Sequence, residues 1–155
     1  FKETKIMNIV ICGSIDFTKE IDEASKFLTG RGHTTDIPLT SQRILRGELT
    51  LEDFSRERET DAGNGIRESS MRKIHDNVIK RYFEIIRKSD AILVLNKEKK
   101  GVKNYIGGNT FLEMGFAHVL EKKIFLLNDI PDVSYTDEIR AMQPTVLHGN
   151  ISLIG

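Results

Sequence analysis

Five short apolar runs alternate along this chain with stretches in which apolar residues recur at helical spacing. Ile6 to Cys12 is a largely β-branched run ended by Gly13-Ser14, the pattern of a strand buried on both faces. Thr18 to Leu28 sets Ile21, Ala24, Phe27 and Leu28 at helical spacing, with Gly30 and Gly32 as stop signals, and predicts the first helix. His33 to Pro38 follows as a second, weaker strand. From Ser70 to Lys88, Ile74, Val78, Tyr82, Ile85 and Ile86 recur mostly at steps of three or four among lysines and arginines, which predicts a long amphipathic helix. Ala91 to Asn96 then predicts a third strand, Thr110 to Glu121 a helix, Lys123 to Asn128 a fourth strand, Asp137 to Met142 a short helix and Thr145 to Leu147 a fifth strand.

Alternating strands and helices predict an α/β fold: one flavodoxin-like or Rossmann-like doubly wound domain over residues 1–155, with helices on both faces of a five-stranded parallel sheet. Right-handed crossovers make 2-1-3-4-5 the simplest strand order. In that order the winding reverses between the first and third strands, so their carboxyl-end loops splay apart and leave a crevice. Those loops are Gly13 to Phe17 and Lys97 to Asn109, and function is expected there. Residues 39–70 resist assignment: Leu51 to Arg58 offers a helical turn or two, and Thr60 to Gly65 reads as a loop, so the stretch is expected to be a mobile insertion or lid.

Composition narrows the partners. At 155 residues and 39% hydrophobic content the chain suits one globular core. Lys plus Arg equals Asp plus Glu at 23 each, so no net charge argues for nucleic acid or an acidic membrane, and any anionic ligand must be held locally. The one cysteine, Cys12, excludes an internal disulfide and a cysteine-based zinc site; at the end of a buried strand it reads as a small core residue. There is no apolar run near 18 residues and no signal-peptide pattern, so the expected location is cytoplasmic. His33, His75, His118 and His148 lack metal-ligand spacing, and neither a metal nor a cofactor is expected.

Glu113 is the leading candidate for chemistry. Thr110-Phe-Leu-Glu113 has the form of a capping box, which would place the carboxylate in the first turn of a helix. On a helical wheel, however, Glu113 shares its face with Phe116, Ala117 and Leu120, so its side chain points along apolar surface. Gly107 and Gly108 before it allow a ligand close to the backbone. An ionised carboxylate beside a cavity is a candidate nucleophile for a sugar's anomeric carbon. From the other loop come Asp16, read either as an acid or as a helix starter, and Ser14, whose neighbouring amides suit a phosphate. Phe17 and Tyr105 are candidates for stacking on a base, Asn96 for touching the ligand at the end of the third strand, and the Lys97 to Lys103 cluster for drawing in a phosphate.

Three pieces, Ile11-Cys-Gly-Ser-Ile15, Ser89-Asp-Ala-Ile-Leu-Val-Leu-Asn96 and Gly108-Asn-Thr-Phe-Leu-Glu-Met-Gly-Phe-Ala117, together resemble the nucleoside 2-deoxyribosyltransferase superfamily, which includes nucleoside 5′-monophosphate N-glycosidases. The resemblance covers both crevice loops and the frame from the third to the fourth strand, and leaves out residues 39–70. It implies that Glu113, followed by Gly115 and Ala117, attacks C1′ of the sugar. It also implies that Gly13, Ser14, Ile15 and Phe17 line the sugar and the base or 5′ end, opposite Gly107, Gly108 and Asn109. Asn128 would reach a neighbouring subunit's site in a homodimer or higher homo-oligomer. One position departs from the pattern: the transferases often carry Asp-x-Gly-Thr before the Glu, and here Gly107 stands where that acid is expected. Asp16 or a water is then the expected proton donor, and both hydrolysis and base transfer remain open. The alternative is a nucleotide-binding or signalling module that keeps the fold and does no chemistry.

Overall fold

The structure is a computed structural model that describes residues 5–59, 61–62, 66–67 and 77–155. Along the chain come β1 (Asn8–Gly13), a 3₁₀ turn (Ile15–Phe17), α1 (Thr18–Gly30), β2 (Thr34–Asp36), α2 (Leu39–Leu45), α3 (Leu51–Glu59), β3 (Asp61–Ala62) and β4 (Ile66–Arg67). They are followed by α4 (Val78–Arg87), β5 (Ala91–Leu95), α5 (Gly108–Val119), β6 (Lys123–Leu126), α6 (Thr136–Ala141), β7 (Thr145–Val146) and a closing 3₁₀ turn (Ile151–Leu153). Five strands make one all-parallel sheet in the order β2-β1-β5-β6-β7, the predicted 2-1-3-4-5 flavodoxin-like arrangement, and β3 pairs with β4 in a small antiparallel ladder.

The central strands are apolar on both sides because both sides are covered. Ile9, Ile11, Leu93 and Leu95 pack on one face with Ile21, Ala24 and Leu28 of α1. Val10, Cys12, Ile92 and Val94 point the other way, onto Tyr82 and Ile86 of α4, Met114 and Ala117 of α5, and Ile139 of α6. Each large aliphatic side chain fully removed from water in these layers contributes roughly 1.5–3 kcal/mol. α1 thus lies on one face and α4 to α6 on the other, which is the change of side that opens a crevice between β1 and β5.

Three expectations need correction. The long helix predicted from Ser70 does not run unbroken to Lys88: Asn77 adopts a left-handed backbone (φ 54°), and α4 begins after it at Val78. Residues 70–76 lie outside the described residues. The segment left unassigned at its amino-terminal end is helical, in α2 and α3, while much of the rest of 39–70, including 60, 63–65 and 68–70, lies outside the described residues. Finally, α5 starts at Gly108 and not at Thr110, with Gly107 extended before it and the Phe111 amide bonded to the Gly107 carbonyl at 2.9 Å. The capping box therefore does not form, and Glu113 sits in the second turn, beyond the reach of the helix terminus.

Candidate active site

Above the carboxyl ends of β1 and β5 lies a cavity of about 620 Å³. Its floor is built by the two predicted loops: Gly13 at the end of β1 with Ser14 and Ile15 after it, and Gly107, the N-cap of α5, with Gly108 and Asn109 in its first turn. Glu113 stands in its wall beside Phe116, as the helical wheel predicts, with Oε2 buried and the residue only partly exposed. Thr110, Met114 and Ala117, on the neighbouring stripe of α5, are buried against the sheet and fix the rotation of the helix that aims Glu113. Gly107 and Gly108 differ in what they do. A Cβ at Gly107 would come within 2.9 Å of the Tyr105 hydroxyl, whereas one at Gly108 would meet nothing within 4 Å. The first glycine admits Tyr105 to the wall, and the second leaves open space.

The rest of the enclosure comes from residues that sequence patterning passes over. α2 contributes Arg43 and, as its C-cap, Arg46, and α4 contributes Val78, Arg81 and Tyr82. α2 is short, with Ser41 as its buried residue, and it is held to α1 by a Ser41–Thr18 hydroxyl contact of 2.9 Å between two buried side chains. Gln42 adds a bond from its amide nitrogen to the Ile37 carbonyl at 3.1 Å. An anchor of hydroxyls and an amide carries no apolar periodicity, which is why the helix was not legible.

Lys99 is the other cavity residue with an unexpected environment. Its chain segment folds as a tight two-residue turn, with Lys99 and Val102 exchanging backbone bonds of 3.1 and 2.9 Å. Lys100 and Gly101 both take positive φ, 50° and 77°, in the manner of a type I′ hairpin turn, for which glycine is the favoured second residue. The turn directs Lys99 back across the crevice, where it is 8% exposed. Its Nζ donates to Ser14 Oγ at 2.7 Å, pairs with Asp16 at 2.9 Å and lies 5.2 Å from the Tyr105 ring centre. A lysine from a cluster that resembles a solvated loop thus ties the β1 loop to the β5 loop.

Beneath the cavity, Tyr82 donates its hydroxyl to the Ile11 carbonyl at 2.7 Å, and Cys12 is buried in the same layer. Burial pushes the Cys12 thiol well above the usual range, and the negative charge of Glu113 pushes the same way. Tyr82 is raised for the same leading reason, burial, with the negative charges of Glu113 and Asp36, and of Cys12 when it ionises, adding to it.

Of the expected site residues, Glu113, Gly13, Ser14, Ile15, Gly107, Gly108 and Asn109 meet at one cavity, and Tyr105 joins them. Four are placed elsewhere. Phe17 is buried in the α1-side core. Asp16 is outside the cavity wall, engaged with Lys99. Asn96 is fully buried and bonds the Asn128 carbonyl, the Asp129 carbonyl and the Asn128 amide, while the Asn128 side chain returns a bond to the Asn96 carbonyl. Within the chain these two asparagines clamp the ends of β5 and β6 together. Among the described residues no group of three His, Cys, Asp or Glu side chains is disposed to hold a metal ion, and no helix is long and apolar enough to cross a membrane. No protein-family model matches the chain, and neither does any curated protein or solved structure.

Proposed function

We propose that this protein breaks the N-glycosidic bond of a nucleoside 5′-monophosphate or a (deoxy)nucleoside, with Glu113 as the nucleophile. The observation that carries the reading is the charge pattern of the cavity: among the described residues, one carboxylate, Glu113, sits among four cations, Arg43, Arg46, Arg81 and Lys99, in a chain with no net charge. Arg43 and Arg46 share Glu48 at 3.7 and 3.0 Å and are substantially exposed, so they can reorient toward an incoming anion. A phosphate drawn to the cations at one end of a nucleotide leaves the sugar between them and the carboxylate.

The chemistry follows from where charge develops. Glu113 attacks C1′, and the electron pair of the glycosidic bond leaves with the base, which must gain a proton. Water or a second base then attacks C1′ and releases the carboxylate. Positive charge on the sugar is stabilised by the ionised Glu113 in a partly desolvated wall, and phosphate binding supplies the positioning. The test is a chromatographic screen for free base across nucleosides and 5′-monophosphates, with and without an added acceptor base. Base released without acceptor marks a hydrolase, and base released only with acceptor marks a transferase. The same reading takes the protein as a cytoplasmic homo-oligomer, which light scattering of the purified chain checks for assembly.

One observation favours the second reading, a binding module without chemistry. Gly107 offers no acid on the base side, and Asp16 is held by Lys99 outside the cavity wall. A parent protein that binds nucleotides and releases no base from any of them decides for the module.

A further inference from the structure

Departure of the base needs a proton, and neither Gly107 nor Asp16 supplies it. Arginines in the wall do not release theirs, and Lys99 spends its ammonium on Ser14 and Asp16. Of the chain's three tyrosines, Tyr82 and Tyr135 donate their hydroxyls to the Ile11 and Ile106 carbonyls. The third, Tyr105, is half-buried and lines the cavity. Its loop is fixed on both sides: the Tyr105 amide bonds the Lys97 carbonyl at 2.8 Å, and Ile106 after it is fully buried. A Cβ on Gly107 would lie 2.9 Å from the phenol oxygen, 3.1 Å from Cε1 and 3.3 Å from Cζ. The phenol thus fills the space that a side chain at 107 would take, at the N-cap of the helix that carries Glu113.

We propose that Tyr105 is the catalytic proton donor to the departing base. The proposal rests on the reading of Glu113 as nucleophile. Glu113 stands about 9 Å along the helix axis from Gly107, and helical side chains lean toward the amino terminus, so carboxylate and phenol face one cavity across a short span. The N–H of a released purine or pyrimidine is a weak acid, so a weak acid such as a phenol is matched to protonate the base as it leaves. Lys99 Nζ, 5.2 Å from the Tyr105 ring centre and 8% exposed, faces the negative charge that forms on the phenol oxygen. The steps balance. Glu113 attacks C1′, the electron pair of the C1′–N bond passes to the base, and the base takes the Tyr105 proton and leaves neutral. Water or an acceptor base then bonds C1′ and gives its proton back to the phenolate as the carboxylate is released.

The experiment compares the parent with Tyr105→Phe on two sets of substrates: the nucleosides and 5′-monophosphates of the base-release screen, and 4-nitrophenyl glycosides of the same sugars, whose leaving group departs as a stable anion without a proton. Tyr105→Phe keeps the ring, and with it any stacking, and removes only the hydroxyl. It should lower kcat for the natural substrate about a hundredfold with KM within about threefold, and lower kcat for the glycoside by less than about threefold. Glycoside turnover at that level also shows that the variant is folded. Equal losses on the two substrates assign Tyr105 to loop geometry and overturn the donor. An unchanged rate of base release in Tyr105→Phe also overturns it and leaves the Glu113 reading standing. A second measurement uses the natural substrate alone: single-turnover base release by the parent should be slower in D₂O, and the slowing should shrink in Tyr105→Phe. Slowing that is absent from the parent, or equal in the two proteins, overturns the donor. A parent that cleaves the glycosides and no natural substrate overturns the donor and keeps the nucleophile, and a parent that cleaves neither overturns both.

Discussion

Two gaps between parallel strands stand side by side at the carboxyl end of this sheet, and one is open while the other is sewn shut. Between β1 and β5 the loops part around a cavity of about 620 Å³. Between β5 and β6 the loops are joined by four hydrogen bonds of Asn96 and Asn128, from 2.8 to 3.1 Å, and by the Tyr135 hydroxyl on the Ile106 carbonyl. Strand composition does not explain the difference, since β1, β5 and β6 are all apolar and mostly buried. The crossovers do. α1 leaves β1 for one face of the sheet, whereas α5 and α6 both pack on the other, so the winding reverses only at the first gap. A polar residue at a strand end is therefore ligand-facing or structural according to which gap it borders.

The largest effect expected from breaking this contrast is chemical. If Glu113 is the proposed nucleophile, Glu113→Ala should reduce base release by about a thousandfold or more, because among the described residues no other acidic side chain lines the wall, while nucleotide affinity changes by no more than about threefold. Single-turnover base release and equilibrium titration read the two quantities separately. Equal rates in parent and variant would leave the open gap as a binding pocket only.

The sealed gap should respond in stability and not in turnover. Asn96→Ala removes a fully buried amide and strands two carbonyls and an N–H, for a loss of about 2–3 kcal/mol in urea unfolding. Asn128→Ala removes only the bond its side chain gives to the Asn96 carbonyl, and should cost about 1 kcal/mol. Equal costs would mean that the clamp is not organised around Asn96.

This asymmetry also marks how far the sequence could be read. The strand order followed from alternating apolar runs, and Glu113 followed from its place on the apolar side of α5, because periodicity reports which face a residue shares. Asn96 and Asn128 sit at strand ends, where periodicity says nothing about which neighbour a side chain will find. Arg43 and Arg46 were hidden for a different reason: α2 is held by the Ser41 and Thr18 hydroxyls, a contact between distant residues with no local signature. Lys99 was visible as part of a basic cluster, but its burial depends on the positive φ of Lys100 and Gly101.

Lys99 spans the open gap, and its removal tests whether that gap is built for an anion. Lys99→Met keeps much of the side chain's length and apolar contact but loses the charge that bonds Ser14 and Asp16. The expected result is a rise of about tenfold in KM for 5′-monophosphates, with nucleosides changed by less than about twofold. A uniform rise for both substrate classes would assign Lys99 to loop geometry alone.

The smallest expected effect separates the gaps by pH. The clamp is made of amides and does not titrate, whereas the layer under the cavity holds Cys12, raised by burial and by Glu113. For a group whose folded pKa lies above its unfolded one, stability is complete below the unfolded pKa and declines as pH rises toward the folded value. An unfolded thiol ionises near 8.5, so the parent should lose stability above about that pH as the unfolded chain releases a proton the folded chain keeps. Cys12→Ala removes this contribution and nothing else that titrates. Paired urea curves at about pH 8.5 and 9.5 should therefore show the parent losing up to about 1 kcal/mol more than the variant, since one proton gives at most about 1.4 kcal/mol per pH unit. Parallel losses would place the thiol in contact with solvent or ionised in the fold, and the open gap would then lack the dry layer that the burial of Cys12 and Tyr82 gives it.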